Sequence, residues 1–242
     1  MSEALLRVEG VSKRFGGFTA LESISVDIRP GERFGLIGPN GSGKTTLINC
    51  ISGVLPSDGG SIRFDGHDIT RLPAYKRTRR GIARSFQVPR PFRSMTVLEN
   101  LLVAIDFAVI GHGLSTRQAN DEVFAILEKI GLADKAHVSS GQLSQVELRK
   151  MELARAMAAR PKLLISDEAM AGLAGSEVDE VLDVLLKLNA EGITVIMIEH
   201  IMQAVMRFSE RVMCLDAGRI ICEGSPQAVM DDKRVQEAYL GA

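Results

Sequence analysis

The sequence predicts an α/β fold in which helices cover a mainly parallel sheet. An apolar run at residues 33–37 leads into a glycine-rich loop at 38–43 and then into a helical pattern. Strand and helix patterns alternate from residue 162 to residue 222, and strands connected through helices lie parallel in one sheet. The β-prone runs before residue 65 have a single helical stretch among them, which predicts a sheet-rich part beside that sheet.

The first elements along the chain are short strands and one helix. We expect strands at residues 5–8, 24–28, 33–37 and 61–64. The dipeptide Asp65-Gly66 closes the last of them as a turn. Residues 45–52 contain neither Pro nor Gly, so a helix should begin directly after the glycine-rich loop.

The middle of the chain is predicted to be helical from residue 96 to residue 159. Apolar residues recur there at helical spacing in two groups: Val97, Leu98, Leu101, Leu102 and Ile105, then Val123, Ile126, Leu127 and Ile130. Residues 111–113, Gly-His-Gly, are the predicted joint between these helices. The chain then returns to strands at 162–166, 194–198, 212–215 and 219–222, with helices at 177–189 and 202–207.

Composition excludes several classes of protein. The 242 residues are 45% hydrophobic, enough for a full core, and the formal net charge of -1 provides no global field that would attract nucleic acid. We therefore expect no nucleic-acid partner. A basic cluster is interpreted as a solvated face, since no aromatic platform accompanies it. It consists of Arg77, Arg79, Arg80 and Arg84.

Cysteine usage and hydropathy indicate a reducing compartment and no membrane span. The three cysteines, Cys50, Cys214 and Cys222, are odd in number and widely spaced, so neither a disulfide framework nor a zinc site is expected. The longest apolar stretch, residues 193–198, is too short to cross a bilayer. If a membrane is involved, a partner must span it.

The glycine-rich loop has the pattern of a phosphate-binding loop in nucleoside triphosphatases. It comprises Gly38, Pro39, Asn40, Gly41, Ser42, Gly43, Lys44 and Thr45. Backbone amides at the helix N-terminus would face phosphate oxygens, and Lys44 would reach the terminal phosphates. The Thr45 hydroxyl would complete the coordination of Mg²⁺, and Thr46 is also assigned to the nucleotide site. The ligands expected from this loop are a nucleoside triphosphate and Mg²⁺.

Two acids follow a buried strand, where open α/β sheets place their ligands. Asp167 and Glu168 come after Leu-Leu-Ile-Ser at 163–166. Asp167 would hold Mg²⁺, commonly through water, and Glu168 would polarise the water that attacks the γ-phosphate. An acidic turn in solvent is the plainer alternative, which the phosphate loop disfavours. His200 follows a second buried strand, so the same sheet geometry can bring it to the γ-phosphate. A lone histidine after a strand is more often structural, so its role as a sensor depends on the family resemblance given below.

The order of these motifs resembles the ATP-binding-cassette (ABC) family. The motifs follow the family's order over essentially the whole chain: first the phosphate loop, then Gln87, a Leu-Ser motif before a helix, the acid pair and finally His200. The chain is similar in particular to ATPase subunits of branched-chain amino-acid importers. That similarity lies in Gly-Ile-Ala-Arg-Ser-Phe-Gln at 81–87, Met-Thr-Val-Leu-Glu-Asn-Leu-Leu at 95–102 and the closing segment at 235–241.

The resemblance implies a single ABC ATPase domain over residues 1–242, with a P-loop NTPase fold. A RecA-like mixed-sheet core with an antiparallel β subdomain would comprise residues 1–88 and 160–242, and residues 89–159 would form an inserted helical subdomain with the signature region. Phe15 would stack on adenine, with a plain core position as the alternative. Gln87 would sense Mg²⁺ and the membrane partner, and His200 would act with Glu168 and Lys44 in catalysis.

The resemblance also implies partners and a function. Two cassettes face head to tail in this family, so each ATP lies between the phosphate loop of one chain and the signature of the other. The expected function is ATP hydrolysis that drives import through separate membrane permease subunits, supplied by a periplasmic or extracellular solute-binding protein. The chain would lie peripherally on the cytoplasmic face of the inner membrane.

Two other functions are weighed against that expectation. One is a nucleotide-gated, weakly hydrolysing subunit paired with a sister cassette. The other is a soluble cassette acting on DNA or ribosomes, which is disfavoured because the chain has neither a long coiled-coil insertion nor a tandem cassette. The substrate stays open among branched-chain amino acids, other amides and small organic acids, as does the choice between homodimer and heterodimer.

The signature motif is the main departure from the family. The family's Leu-Ser-Gly-Gly-Gln falls on residues 143–147, which read Leu-Ser-Gln-Val-Glu. A better match in letters, Val-Ser-Ser-Gly-Gln at 138–142, lies five residues too early for both flanking landmarks. Ser144 and Glu147 are also spaced as a helix capping box. We hypothesise that Ser144 still addresses a partner's γ-phosphate but that the signature is weakened by Val146 and Glu147.

Overall fold

The computed structural model describes residues 3–85, 89–108 and 115–240. Gln87 and the predicted joint at 111–113 lie outside the described residues. The strands are β1 (Leu6–Phe15), β2 (Phe18–Ile28), β3 (Arg33–Ile37), β4 (Gly59–Phe64), β5 (His67–Asp68), β6 (Ile82–Ser85), β7 (Leu163–Asp167), β8 (Thr194–Ile198), β9 (Arg211–Asp216) and β10 (Arg219–Gly224). The α-helices are α1 (Lys44–Ser52), α2 (Ala74–Arg79), α3 (Val97–Ala108), α4 (Thr116–Ile130), α5 (Gln145–Met157), α6 (Gly175–Ala190), α7 (Met202–Phe208), α8 (Pro226–Asp231) and α9 (Lys233–Leu240).

The strands form one mixed sheet and one antiparallel sheet, which confirms the predicted α/β fold class. The mixed sheet has the order β10-β9-β3-β8-β7-β6, and only its β9–β10 pair is antiparallel among the described strands. The antiparallel sheet has the order β2-β1-β4-β5. Because β3, β7 and β8 run parallel side by side, their carboxyl ends meet at one edge of the mixed sheet.

The packing explains why the central strands are continuous apolar runs. All five residues of β7 and of β8 are buried, since helices cover both faces of this part of the sheet. Helices α3, α4 and α5 bury their apolar stripes against one another and against one face of the sheet, through Val97, Leu101, Val123, Leu127 and Met151. This arrangement gives the strand ends a rigid base.

Five elements were not predicted: β5, α2, β6, α8 and α9. The strands β1 and β2 are also longer than expected and form one hairpin with three register shifts. Each missed element is short, so its period is defined by few residues. The strand β3, by contrast, has the predicted bounds.

The prediction that the basic cluster is a solvated face is wrong for two of its four members. Arg77 is only 2% exposed, and its Nη1 donates to the carbonyls of Cys50 and Ile51 at 2.6 and 2.8 Å. These are carbonyls of the last turn of α1, which helix ends leave without partners. Arg77 therefore caps the helix that follows the phosphate loop. The second member, Arg84, belongs to the site described below.

Candidate nucleotide-binding site

The glycine-rich loop connects the end of β3 to the start of α1 along a path that only glycine can follow. Gly38 has φ 146° and Gly43 has φ 108°. A Cβ atom on Gly38 would lie 2.1 Å from the carbonyl oxygen of Leu215, and one on Gly43 would lie 2.7 Å from that of Ala20. The loop is thus held against the backbone on both sides. No side chain of the described residues caps the N-terminus of α1 at Gly43.

Lys44 folds back over this loop as the first residue of α1. Its Nζ donates to the carbonyls of Gly38 and Pro39 at 2.7 and 2.9 Å, and the residue is only 6% exposed. Burial lowers the pKa of Lys44, and the negative charges of Glu168 and Asp167 partly offset that shift. The ammonium group and both predicted acids therefore share one electrostatic environment.

The other residues assigned to the loop have clear positions. Thr45 is exposed in the first turn of α1, while Thr46 is half-buried in the same turn. The Ser42 hydroxyl is buried and has no hydrogen-bond partner among the described residues. Asn40 and Gly41 lie on the exposed side of the loop.

Asp167 ends β7 beside β8, and an arginine holds it there. Arg84 donates from Nη2 and Nε to Asp167 Oδ2 at 2.5 and 3.2 Å, and from Nη1 to Asn49 Oδ1 at 2.6 Å. The two charged side chains are 12% and 9% exposed. Arg84 thereby links β6, β7 and α1. Sequence reasoning missed this pair, and the only signal for it was a charge inside an otherwise apolar strand.

Glu168 and His200 meet just beyond the ends of β7 and β8. Glu168 Oε1 lies 3.0 Å from His200 Nε2. The Glu168 amide donates to the Ile198 carbonyl at 2.9 Å, and Glu168 has φ +48°, a region that non-glycine residues seldom adopt. Strained residues of this kind cluster at functional sites. The structure thus brings together the two residues that the sequence placed after neighbouring strands.

A second carboxyl group, not predicted from the sequence, lies behind this pair. Glu199 is 1% exposed, and its Oε1 accepts a hydrogen bond from the Met170 amide at 3.0 Å. It also accepts from the His200 amide, and burial raises its pKa to about 7. Glu199 therefore ties the turn after Glu168 to the turn that carries His200.

Phe15 stands at the tip of the β1–β2 hairpin. Its ring is 48% exposed, so the alternative that it fills the core is wrong. Lys13 Nζ lies 5.7 Å from the ring centroid. An exposed aromatic ring of this kind can stack on a planar base.

The predicted capping box at the start of α5 is confirmed. Ser144 is the N-cap residue, and its Oγ accepts from the Glu147 amide at 3.3 Å while the Ser144 amide donates to Glu147 Oε2 at 2.8 Å. Lys135 Nζ lies 3.5 Å from Glu147 Oε1. In the alternative motif, the Ser139 hydroxyl instead donates to the Arg93 carbonyl at 3.0 Å. Of these two serines, only Ser144 thus lies at the N-terminus of α5.

Comparison with known proteins identifies the family. Residues 21–171, more than half of the chain, match the sequence model of a family described as ABC transporter. The chain belongs to the ABC transporter family. Residues 219–242 of this ABC cassette match a second family, described as branched-chain amino acid ATP-binding cassette transporter.

Curated relatives match over their full length. The cassette is 37% identical to the high-affinity branched-chain amino acid transport ATP-binding protein BraF of Pseudomonas aeruginosa, over 100% of this chain and 99% of the relative. It has the same identity and coverage to LivG of Escherichia coli, a protein of the same description. The identity to a probable LivG of Archaeoglobus fulgidus is 36%, over 98% and 96% of the two chains.

Solved structures of ABC cassettes have the same fold. The ADP conformation of MJ1267, an ATP-binding cassette of an ABC transporter, matches with a TM-score of 0.89 at 35% identity and 100% coverage of both chains. A dimeric post-hydrolysis state of the cassette MJ0796, bound to ADP and Pi, matches with a TM-score of 0.82 at 25% identity over 91% of this chain and 98% of that one.

These matches give the chain its biochemical class. It is an ATP-binding and ATP-hydrolysing subunit of an ABC transporter. ATPase subunits of this family pair as dimers and work with membrane permease subunits. Among the described residues, this cassette has no helix with the length and apolar character that a membrane span requires.

Proposed function

We propose that this cassette powers the import of branched-chain amino acids, or of a related small polar solute, through separate permease subunits. The observation that carries this proposal is the full-length similarity to ATP-binding proteins of branched-chain amino-acid transport from bacteria and an archaeon. The match of residues 219–242 to the branched-chain family supports it independently. A solute-binding protein outside the cytoplasm would deliver the substrate, and the cassette would lie on the cytoplasmic face of the membrane.

The proposed nucleotide site combines residues of two chains. Phe15 would stack on adenine, and the loop amides would bind phosphate oxygens, because the N-terminus of α1 carries a partial positive charge. The partner chain's equivalent of Ser144 would close the site over the γ-phosphate. The proposed nucleotide ligands are Phe15, Gly38, Pro39, Asn40, Gly41, Ser42, Gly43, Lys44, Thr45, Thr46 and Ser144.

The residues present fit a Mg²⁺ ion bound together with the nucleotide. In the described residues, no group of three or more His, Cys, Asp and Glu side chains could hold a metal alone. Mg²⁺ commonly takes one or two protein ligands and completes its shell with phosphates and water. Thr45 and Asp167 would be those ligands. Arg84 engages Oδ2 of Asp167, so Oδ1 is the carboxylate oxygen that would bind the ion. Gln87, outside the described residues, is proposed as a third contact. The ion would neutralise phosphate charge.

For hydrolysis, the geometry supports a division of roles between Glu168 and His200. Glu168 would orient and polarise the attacking water, and Lys44 would stabilise charge on the phosphates. The imidazole of His200, 3.0 Å from the Glu168 carboxylate, would hold that carboxylate in place and contact the γ-phosphate. Phosphoryl transfer depends mainly on positioning and charge neutralisation, which these residues supply.

One face of this chain carries an apolar groove suited to a permease segment. An apolar groove of about 580 Å³ lies between α2, β6, α3 and α5, and its lining includes Val54, Ala104, Phe107 and Ala159. Phe107 is 71% exposed there. The groove runs along the proposed boundary between the core at 1–88 and 160–242 and the helical subdomain at 89–159. We propose that a cytoplasmic segment of a permease occupies it.

Transport can be tested directly by reconstituting the cassette with its permease subunits in liposomes. ATP supplied on the cassette side should drive uptake of labelled leucine delivered by the solute-binding protein. Lys44→Ala should abolish uptake, while Lys187→Ala, an exchange on the outside of α6, should not. Uptake of a different solute class with no leucine transport would refute the proposed substrate but keep the transport function.

A second function is favoured by one observation, the altered signature. A cassette with Glu147 in this motif could serve as a weakly hydrolysing, nucleotide-gated subunit beside a sister ATPase. Light scattering of Glu168→Gln protein with and without Mg-ATP separates the two, because blocked hydrolysis should trap any dimer that this chain forms alone. An ATP-dependent dimer supports the homodimer, and a monomer that still binds ATP supports the sister subunit.

A further inference from the structure

The last described helix, α9, reaches back to the phosphate loop. The Tyr239 hydroxyl accepts a hydrogen bond from the Gly38 amide at 2.8 Å, between residues 201 positions apart in the chain. Gly38 is the first residue of the loop. Its carbonyl in turn accepts from Lys44 Nζ at 2.7 Å. A single residue, Gly38, thus connects the closing helix to the lysine of the proposed ATP site.

Gly38 has little freedom apart from this contact. A Cβ atom there would meet the Leu215 carbonyl at 2.1 Å, so the end of β9 lies directly against the glycine. The carbonyl and Cα of Gly38 are therefore fixed by Lys44 and β9. The amide is fixed by Tyr239 alone among the hydrogen bonds of the described residues. Without the hydroxyl, this buried N–H would lose its acceptor.

A tyrosine suits this position because it supplies an acceptor without a charge. A phenol has an ordinary pKa of about 10 and is therefore neutral at physiological pH. Partial burial raises the pKa of Tyr239 further, to about 12, although the residue is 40% exposed. A carboxylate in the same place would accept the hydrogen bond but repel the nucleotide.

The helix α9 is anchored independently of the tyrosine. Val235, 2% exposed, packs in an apolar cluster with Ile37, Val212 and Val229. At the start of the helix, Asp232 accepts from the Arg234 amide at 2.8 Å and from its guanidinium at 2.6 Å. Removal of the Tyr239 hydroxyl should therefore leave α9 docked and change only the contact with Gly38.

We propose that Tyr239 is a positioning residue that fixes the phosphate loop for nucleotide, a role that rests on the proposed use of this loop as the ATP site. In its absence, the peptide between Ile37 and Gly38 has no acceptor for its N–H and samples several orientations, and only a fraction of them binds phosphate. The apparent dissociation constant for ATP rises by the inverse of that fraction.

The test compares two tyrosine exchanges in the purified full chain. The chain contains two tyrosines, Tyr75 and Tyr239, and no tryptophan. Tyr239→Phe should raise the dissociation constant for ATP about fivefold, since one loop conformation in about five would remain competent. Tyr75→Phe, the matched loss of an exposed hydroxyl, should leave it unchanged. In turnover, KM for ATP should rise while kcat stays within about twofold.

Hydrogen exchange provides a readout that a general loss of stability would not reproduce. Without nucleotide, the amide of Gly38 should exchange faster in Tyr239→Phe, while the amides of β7 and β8 keep wild-type rates. A uniform increase over all segments would overturn the proposal, because it would indicate global destabilisation instead of a local contact.

Intrinsic fluorescence keeps the proposal testable even if Tyr239→Phe does not fold. In the Tyr75→Phe protein, Tyr239 is the single tyrosine, so its emission reports the contact directly. ATP and ADP should change that emission with the same dissociation constant as calorimetry. Unchanged emission on binding, or wild-type affinity of Tyr239→Phe, would overturn the proposal. If the wild-type chain binds no ATP, the proposed ATP site itself fails.

Discussion

Two helix N-termini in this chain have opposite designs. The helix α1 begins after Gly43, which has a left-handed conformation and makes no side-chain capping bond in the described structure. The helix α5 begins after Ser144, and a complete capping box satisfies its first amides. Since uncapped amides need partners, α1 is left open to phosphate while α5 is satisfied within its own chain.

The two helix ends differ in the groups that surround them. The phosphate loop, Lys44, the acid pair and His200 all belong to the proposed site at the α1 end. The α5 end has an exposed serine whose hydroxyl and amide are both engaged by Glu147. The chain is therefore proposed to carry the loop half of an ATP site and to present a less available signature half to its partner.

The largest effect on ATP turnover is expected from Glu168, at the α1 end. Glu168→Gln should lower the ATP turnover of the assembled complex by about 100- to 10,000-fold, the usual contribution of a positioned acid–base group. ATP binding should be retained, because the phosphate loop is unchanged. Phosphate release measures turnover, and calorimetry measures binding. Glu128→Gln, an exposed exchange on α4, is the control. Turnover that persists would mean that this chain's own site does not hydrolyse ATP.

The next effect is on stability and concerns the ion pair of Arg84 and Asp167 near the α1 end. Arg84→Gln should destabilise the chain by about 3 kcal/mol, because it leaves the carboxylate of Asp167 buried without its cation. Chemical denaturation measures the free energy of unfolding. The double variant Arg84→Gln/Asp167→Asn should lose less than the sum of the single losses, since the two groups interact directly. Additive losses would show that the pair is not coupled.

A third effect uses two carboxyl groups whose pKa values move in opposite directions. Burial raises the pKa of Glu199, next to His200, to about 7, whereas the hydrogen bond from the Ser144 amide lowers the pKa of Glu147 at the α5 end. Glu199 thus stabilises the fold in its protonated form. That contribution is full below pH 4.5 and is lost as the pH rises through about 7.

Glu199→Gln should therefore abolish a pH-dependent loss of stability of about 2 kcal/mol between pH 5.5 and pH 8. A loss of this size lowers the midpoint of thermal unfolding by roughly 4–8 °C in a chain of this length. Glu147→Gln should act in the opposite sense and be slightly less stable than wild type above pH 5. If the free energy of unfolding depends on pH in the same way in wild type and Glu199→Gln, the raised pKa assigned to Glu199 is wrong.

The same two ends show what the sequence could predict. The phosphate loop, the acid pair after β7 and the capping box of α5 are local patterns, in which spacing along the chain determines geometry. The fold class followed from the alternation of strands and helices after residue 162. For the same reason, strand β3 was predicted with its bounds: a buried run with sharp turn signals leaves little ambiguity.

The contacts that were missed depend on distant pairing. Arg84 was predicted to be solvated because β6 was not recognised, and its partner lies 83 residues further along the chain. Glu199 was missed because only the packing of two strand-end turns shows that it is buried. The contact of Tyr239 with Gly38 joins residues 201 positions apart in the chain. No local period indicates any of these contacts, since each depends on the strand order of the mixed sheet.

The smallest expected effect on ATP turnover comes from exchanges at the α5 end, which also test the comparison of the two helix ends most directly. The combined exchange Gln145→Gly, Val146→Gly and Glu147→Gln should raise ATP turnover of the complex about threefold. The exchange removes a negative charge from the helix N-terminus and lets a partner's phosphate approach the backbone. An effect of threefold corresponds to about 0.7 kcal/mol in the barrier, which is the size of a helix-end charge effect.

The single exchange Glu147→Gln separates charge from shape at this end. Glutamine can still complete a capping box, so this variant keeps the bonds to Ser144 and removes only the charge. If it reproduces most of the gain, repulsion of the γ-phosphate limits the signature. If the gain needs both glycines, the bulk of Val146 limits it. If neither variant changes turnover while Glu168→Gln still abolishes it, the capped end of α5 is not rate-limiting, and the asymmetry between the two helix ends has no consequence for hydrolysis.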